Sequence, residues 1–186
     1  MKNLLEPELT RDETELFHHL YRHAARYLTQ KGQLPPLAHF RAGLSPHVPG
    51  MQIGDIATVV IDMPGSDAGK DCVAAMLRGV ARKMDADMII LQFESWMVKP
   101  SPEEAAYYQQ HQEFSVRPSE HPDRIEIVLL SVSKPDGQQW STWVEIQRDA
   151  QGNPSIPADP PPLEHLTSEG RFGNLFKQDG YRPSKS

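Results

Sequence analysis

An α+β domain is what this sequence predicts, with an α/β arrangement as the variant left open, and three observations carry the prediction. Two stretches repeat apolar residues at helical spacing, several short runs are rich in β-branched residues, and an Asp-Gly pair separates two of those runs. The chain has 186 residues, 38% of them hydrophobic, which suffices for one core. A single domain is therefore expected over residues 1–150, followed at 151–186 by a tail rich in Pro, Gly and Ser and mostly irregular.

The first helix is read over Thr10 to Lys31. Leu16, Phe17, Leu20, Tyr21, Ala24, Tyr27 and Leu28 recur at three- and four-residue spacing, Thr10 and Glu13 form a capping-box pair, and Gly32 is a stop. The next stretch, QLPPLAHFRAGLSPHVPG, carries four prolines and two glycines and reads as a loop or surface arm. A strand is expected over Ile53 to Met63, a helix over Asp67 to Lys83 and a second strand over Met88 to Val98. This is a βαβ-like crossover, with an antiparallel return as the alternative. Pro102 to Gln112 opens with Pro-Glu-Glu and reads as a short helix. Arg124 to Lys134 and Gln139 to Arg148 flank PDGQ and read as a hairpin. The expected architecture is thus a four-stranded mixed sheet with an N-terminal helix and a crossover helix.

Composition excludes several functions. A formal net charge of −6 gives no global positive field, so general nucleic-acid binding is not expected. A single cysteine, Cys72, rules out an intramolecular disulfide and fits a reducing cytoplasm, and no run approaches the ~18 apolar residues of a membrane helix.

The Gly65 to Lys70 turn invites comparison with a phosphate-binding loop, whose backbone N–H groups wrap phosphate and whose Ser or Thr follows the lysine. Here Asp71 follows Lys70, and Pro64 stands where the first glycine belongs. Ser66 or Asp67 capping the second helix is the better reading. Glu15, His19 and His23 share one face of the first helix at metal-ligand spacing, although three exposed ligands without support more often form plain surface. Pro122-Asp123 with Glu145-Ile146-Gln147 loosely resembles the Pro-Asp … Glu-x-Lys pattern of restriction-like nucleases, with Gln147 in place of the lysine. Ser95 and Cys72 lack the surroundings of a nucleophile.

Register decides which side chains share a face. With a two-residue Asp-Gly loop, Pro135 pairs with Gln138, and Ile125, Ile127 and Leu129 join Trp140, Val144 and Ile146. The opposite face then gathers Glu126, Trp143 and Glu145. If the preceding strand lies alongside, Gln92, Glu94 and Trp96 join them. Clustered carboxylates can share a proton or hold a hard cation, and tryptophans can line a groove. Glu94, His121 and Glu126 are accordingly the candidate catalytic residues, with His121 as general base. Trp96, Arg124 and Trp143 are the candidate ligand or partner contacts, and Glu94, Glu126 and Glu145 the candidate metal ligands. The competing expectation pairs each glutamate with Arg117, Arg124 or Arg148.

At FESWMVKP and RPSEHPDRIEIVLLS the chain resembles an uncharacterised family of bacterial and phage-type proteins, in which a Glu-x-Trp-Met strand end precedes a Pro-Asp-Arg-x-Glu strand start. The resemblance covers roughly residues 50 to 148 and implies no activity. It directs attention to Glu94, Trp96, Asp123, Arg124 and Glu126.

Two functions follow as expectations. The first is a small cytoplasmic binding or interaction module that pairs with a protein partner or with itself, away from membranes and without an evident cofactor. The alternative is a metal-assisted hydrolase, for which a divalent cation would be the cofactor. The sequence leaves open whether the protein is an enzyme.

Overall fold

The structure is a computed structural model and describes residues 8–99, 101, 103–104, 120–165, 172 and 175–176. Its elements are α1 (Arg11–Lys31), β1 (Leu37–Ala42), β2 (Ile56–Val60), α2 (Asp67–Met84), β3 (Ala86–Met97), β4 (Ile125–Ser133) and β5 (Gln139–Glu145). Three two-residue strands complete the chain: β6 (Gln147–Arg148), β7 (Pro154–Ser155) and β8 (Glu164–His165). Six strands form one sheet in the order β2-β1-β3-β4-β5-β8, and every neighbouring pair is antiparallel. The α+β class holds. The sheet is larger than the expected four strands, and it is antiparallel where a mixed sheet was expected.

The difference begins at β1, which occupies the stretch read as a loop. Pro35 and Pro36 precede it and Gly43 follows, so the strand is only six residues long and pairs with β2 on one side and β3 on the other. Both of its faces are covered, which removes the apolar-polar alternation that marks a half-exposed strand. Because β1 is inserted between them, β2 and β3 run parallel without touching, and α2 crosses over between them. Gly43 allows the close approach after β1: its N–H donates to Asp85 C=O at 2.9 Å, and a Cβ there would sit 2.0 Å from that oxygen.

The helices are set by local chemistry. Thr10 and Glu13 make the reciprocal capping box, and Gly32 closes α1 in the left-handed conformation at φ 80. Ser66 Oγ accepts the Gly69 N–H at 3.1 Å and caps α2. A Cβ on Gly69 would meet the Pro64 ring at 2.6 Å, so that glycine serves packing. Each helix buries its stripe on one face of the sheet. Phe17, Tyr21, Ala24 and Leu28 of α1 pack on Met88, Ile90, Val128, Leu130, Trp140 and Val144. Ala74, Leu77, Ala81 and Met84 of α2 pack on Ala38, Phe40, Ile89 and Leu91. Three layers result, with two cores.

The β4–β5 hairpin forms, but its loop has three residues. Gly137 N–H donates to Lys134 C=O at 3.0 Å, Lys134 N–H donates to Gln138 C=O at 3.0 Å, and Gly137 alone in the turn has positive φ, at 88. A two-residue loop would set Pro135 opposite Gln138, where proline has no N–H to give the Gln138 carbonyl, whereas a three-residue loop lets Lys134 donate that bond. The sequence Lys-Pro-Asp-Gly therefore makes a type I turn followed by a left-handed glycine. Paired residues such as Ile127 and Glu145, or Leu129 and Trp143, shift by one from expectation. A one-residue slip exchanges the two faces of β5 relative to β4.

The described part of the tail packs on both faces. Ile156 and Leu163 join the core under α1, Tyr21 Oη donates to Pro157 C=O at 2.8 Å, and β8 extends the sheet beyond β5. Leu175, with Phe172 and Phe176 beside it, enters the other core and is only 1% exposed. The short helix expected over Pro102–Gln112 lies almost wholly outside the described residues. No helix among the described residues is long and apolar enough to cross a membrane.

Candidate functional site

The register divides the predicted residues. Trp96 pairs directly with Glu126, and Glu94 with Val128, so Glu94, Trp96 and Glu126 share the α1 side of the sheet. Trp143 and Glu145 pair with Leu129 and Ile127 and lie on the α2 side. The single acidic groove expected from a two-residue turn is therefore not formed, and Glu145 cannot join Glu94 and Glu126 around one ion. Among the described residues, no group of three His, Cys, Asp or Glu is arranged to hold a metal. Glu15, His19 and His23 are exposed along α1, with Glu15 paired to Arg11 at 2.9 Å.

Most of the remaining candidates are engaged by neighbours. Glu94 Oε1 accepts the Leu34 N–H at 2.6 Å and so anchors the chain between α1 and β1. Glu126 pairs with Arg148 at 2.7 Å, and this carboxylate and then that of Glu94 hold the guanidinium above its ordinary pKa. The pairing of Glu126 with Arg148 is the ion pair that the competing reading expected. Arg124 lies over the Trp96 ring, 4.8 Å from its centroid, and donates to His121 C=O at 3.4 Å. His121 is buried, and its Nδ1 accepts the Asp123 N–H at 3.1 Å, which leaves the ring proton of the neutral form on Nε2. On the other face, Lys99 stands 4.9 Å from the Trp143 ring centroid and 3.7 Å from Glu145. Each tryptophan is thus half-exposed beneath its own cation. Gln92, expected on the groove, is fully buried beside Leu37 and Leu130, and neither amide atom has a partner among the described residues.

A charged network that sequence reasoning read only as a helix cap lies at the other end of α1. Glu13 is 3% exposed and accepts hydrogen bonds from Thr10 N–H at 2.8 Å, Arg41 Nη2 at 3.1 Å and Lys134 Nζ at 2.9 Å. Arg41 also donates to Asp87 at 2.6 Å. Burial pushes the Glu13 carboxyl up, but the Thr10 N–H and the Lys134 ammonium outweigh it and hold the group at about 2. One carboxylate thereby ties α1, β1 and the β4–β5 hairpin together.

Among the described residues, β2 has no strand neighbour on its outer side, and its edge is the least protected surface. Ile61 N–H donates to Pro36 C=O and Ala42 N–H to Asp55 C=O, both at 2.8 Å, which fixes the phase of the ladder. Ala57, Val59 and Ile61 bond inward to β1, so the N–H and C=O groups of Ile56, Thr58 and Val60 point outward. The side chains of these three residues also emerge on the α1 side, in line with Leu37, His39 and Arg41. The helix does not reach that far, leaving Ile56 38% and Val60 67% exposed, with Ile53 at 62% just before the strand. His39 bonds Thr58 Oγ1 through Nδ1 at 2.9 Å, and burial, then the neighbouring His23, hold the imidazole near 4. Its Nε2 is buried without a partner among the described residues, which favours the proton on Nδ1, donating to Thr58. Thr58 is therefore not activated as a nucleophile.

No protein-family model, curated protein or solved structure matches the chain.

Proposed function

We propose that this protein is an interaction module that associates with a second copy of itself by antiparallel pairing of β2 edges. The observation that carries the reading is the unprotected edge. Natural edge strands are blunted by lysine, proline, bulges or covering segments, whereas Ile-Ala-Thr-Val-Val holds neither charge nor proline and no described residue covers it on the α1 side. The strand is also self-complementary. A two-fold axis at Thr58 sets Ile56 against the partner's Val60, and the outward groups of Ile56, Thr58 and Val60 then exchange about six hydrogen bonds. In the same register Asp55 faces Ile61 and Asp62 faces Gly54 of the partner subunit, so the flanking carboxylates do not oppose one another.

The tryptophans expected as a contact surface fit this role less well, since each lies under a cation and the two occupy opposite faces. The aromatic cluster of the tail is likewise spent on the chain's own core. A five-residue strand, ~17 Å long, offers far less than the ~800 Å² per partner of a standard interface. Association is accordingly expected to be weak, with a Kd no tighter than about 1 µM. Sedimentation equilibrium over a wide concentration range tests it. Wild-type protein reaches dimer mass at high concentration, and Val60→Lys stays monomeric. A wild-type chain that is monomeric up to its solubility limit contradicts the reading.

A further inference from the structure

A cavity of about 300 Å³ lies between the last turns of α2, the turn of the β4–β5 hairpin and the tail. Ala81, Ala86, Pro135, Leu175 and Phe176 make much of its wall apolar. Leu175 is buried, so the core itself holds that part in place. Arg78 borders the cavity but already has a partner, which leaves Arg82 and Asp85 as the open charges. One cation and one carboxylate give no net charge with which to select an anion or a cation. They do not pair with each other, although both lie at the end of α2. Asp85 caps the helix in the left-handed conformation, and its Oδ2 accepts the Ser45 N–H at 3.1 Å, which holds the carboxylate in place. The polar wall is therefore a separated positive and negative charge above an apolar floor.

We infer that this cavity binds a free α-amino acid with a branched or aromatic apolar side chain. Such a molecule is a zwitterion at neutral pH, so it matches a wall of balanced charge. Its carboxylate pairs with the Arg82 guanidinium, whose fork fits that group, and its ammonium pairs with Asp85. The negative pole at the end of α2 favours the same orientation by drawing the ammonium towards Asp85. The side chain rests on Leu175 and Phe176. The volume equals that of about ten waters at ~30 Å³ each, which suits a ligand of about ten non-hydrogen atoms, the size of leucine. Ligands of that size reach Kd values of about 1 mM.

The test is an NMR titration of the full chain with leucine, isocaproate, isoamylamine and glycine in turn. Leucine is expected to shift resonances of Ala81, Ala86 and Leu175. Isocaproate and isoamylamine keep the apolar body but lose one charge each, and should bind about fivefold more weakly. Glycine keeps both charges without the body and should bind at least about tenfold more weakly. Arg82→Gln, at an exposed position, should weaken leucine about fivefold without weakening isoamylamine. In Asp85→Asn the amide oxygen can still accept the Ser45 N–H, and asparagine tolerates the left-handed conformation. That variant should weaken leucine about fivefold without weakening isocaproate. Isocaproate or isoamylamine binding as well as leucine, or either variant keeping full affinity for leucine, overturns the dipolar head. Glycine binding as well as leucine overturns the apolar body, and the absence of a leucine-induced shift at all three residues overturns the site.

Discussion

Replacing Glu13 by Gln separates the charge of this residue from its part in the helix cap, because an amide oxygen can still accept the Thr10 N–H. The carboxyl is held at about 2 against an ordinary 4.5, and each pH decade is worth roughly 1.4 kcal/mol. The ionised group therefore contributes about 3 kcal/mol to folding at neutral pH. Its folded pKa is depressed, so the contribution is complete above the unfolded value and disappears as pH falls from about 4.5 towards 2. Glu13→Gln should lower stability by about 3 kcal/mol at pH 7, or about 6–12 °C in melting temperature for a chain of this size. It should also flatten the acid limb of the stability profile by one titrating group. Urea unfolding of both proteins at intervals between pH 7 and pH 2 measures both quantities. A loss below about 1 kcal/mol, or an acid slope unchanged by the substitution, would refute the buried network as the anchor of α1.

Other perturbations probe the rest of the fold and the edge. Gly43→Ala forces its new methyl group against Asp85 C=O and should cost about 1–3 kcal/mol in urea unfolding, with no change expected only if β1 and the end of α2 are farther apart. Leu175→Ala should cost about 2–5 kcal/mol by the same assay, because that side chain is a core residue supplied by the tail. Val60→Lys should leave the melting temperature nearly unchanged, since the residue is 67% exposed, while abolishing concentration-dependent mass.

Much of the architecture was legible in the sequence where local chemistry decides structure. Thr10, Glu13 and Gly32 bound α1, Ser66 caps α2, and the alternating runs around Asp136-Gly137 announce a hairpin. What escaped was nonlocal or hinged on one residue. β1 was hidden because a short central strand covered on both faces shows no alternation, and His39 and Arg41 interrupt its apolar run even though Arg41 is satisfied by Glu13 and Asp87. Proline at position 135 was the signal for a three-residue turn, and missing it exchanged the faces of Trp143 and Glu145. That single slip accounts for the groove of glutamates and tryptophans that the sequence suggested and the sheet divides. Glu94, Trp96 and Glu126 were expected on one face on the condition that the preceding strand lies beside the hairpin, and the β3–β4 pairing meets that condition. The β2 edge could not be found without the sheet order, since only that order reveals that β2 has no neighbour on one side among the described residues.

Cysteine cross-linking across the proposed two-fold axis tests self-association most directly. In a Cys72→Ser background, Thr58→Cys would oppose its own copy in a hydrogen-bonded pair with Cα atoms ~5.5 Å apart, a separation that a disulfide spans. Val60→Cys would lie about 13 Å from its copy and cannot close the same bond. Under mild oxidation of native protein, edge pairing predicts that Thr58→Cys accumulates as a covalent dimer while Val60→Cys does not. A Thr58→Cys chain that remains monomeric, or a Val60→Cys chain that cross-links equally well, would contradict it.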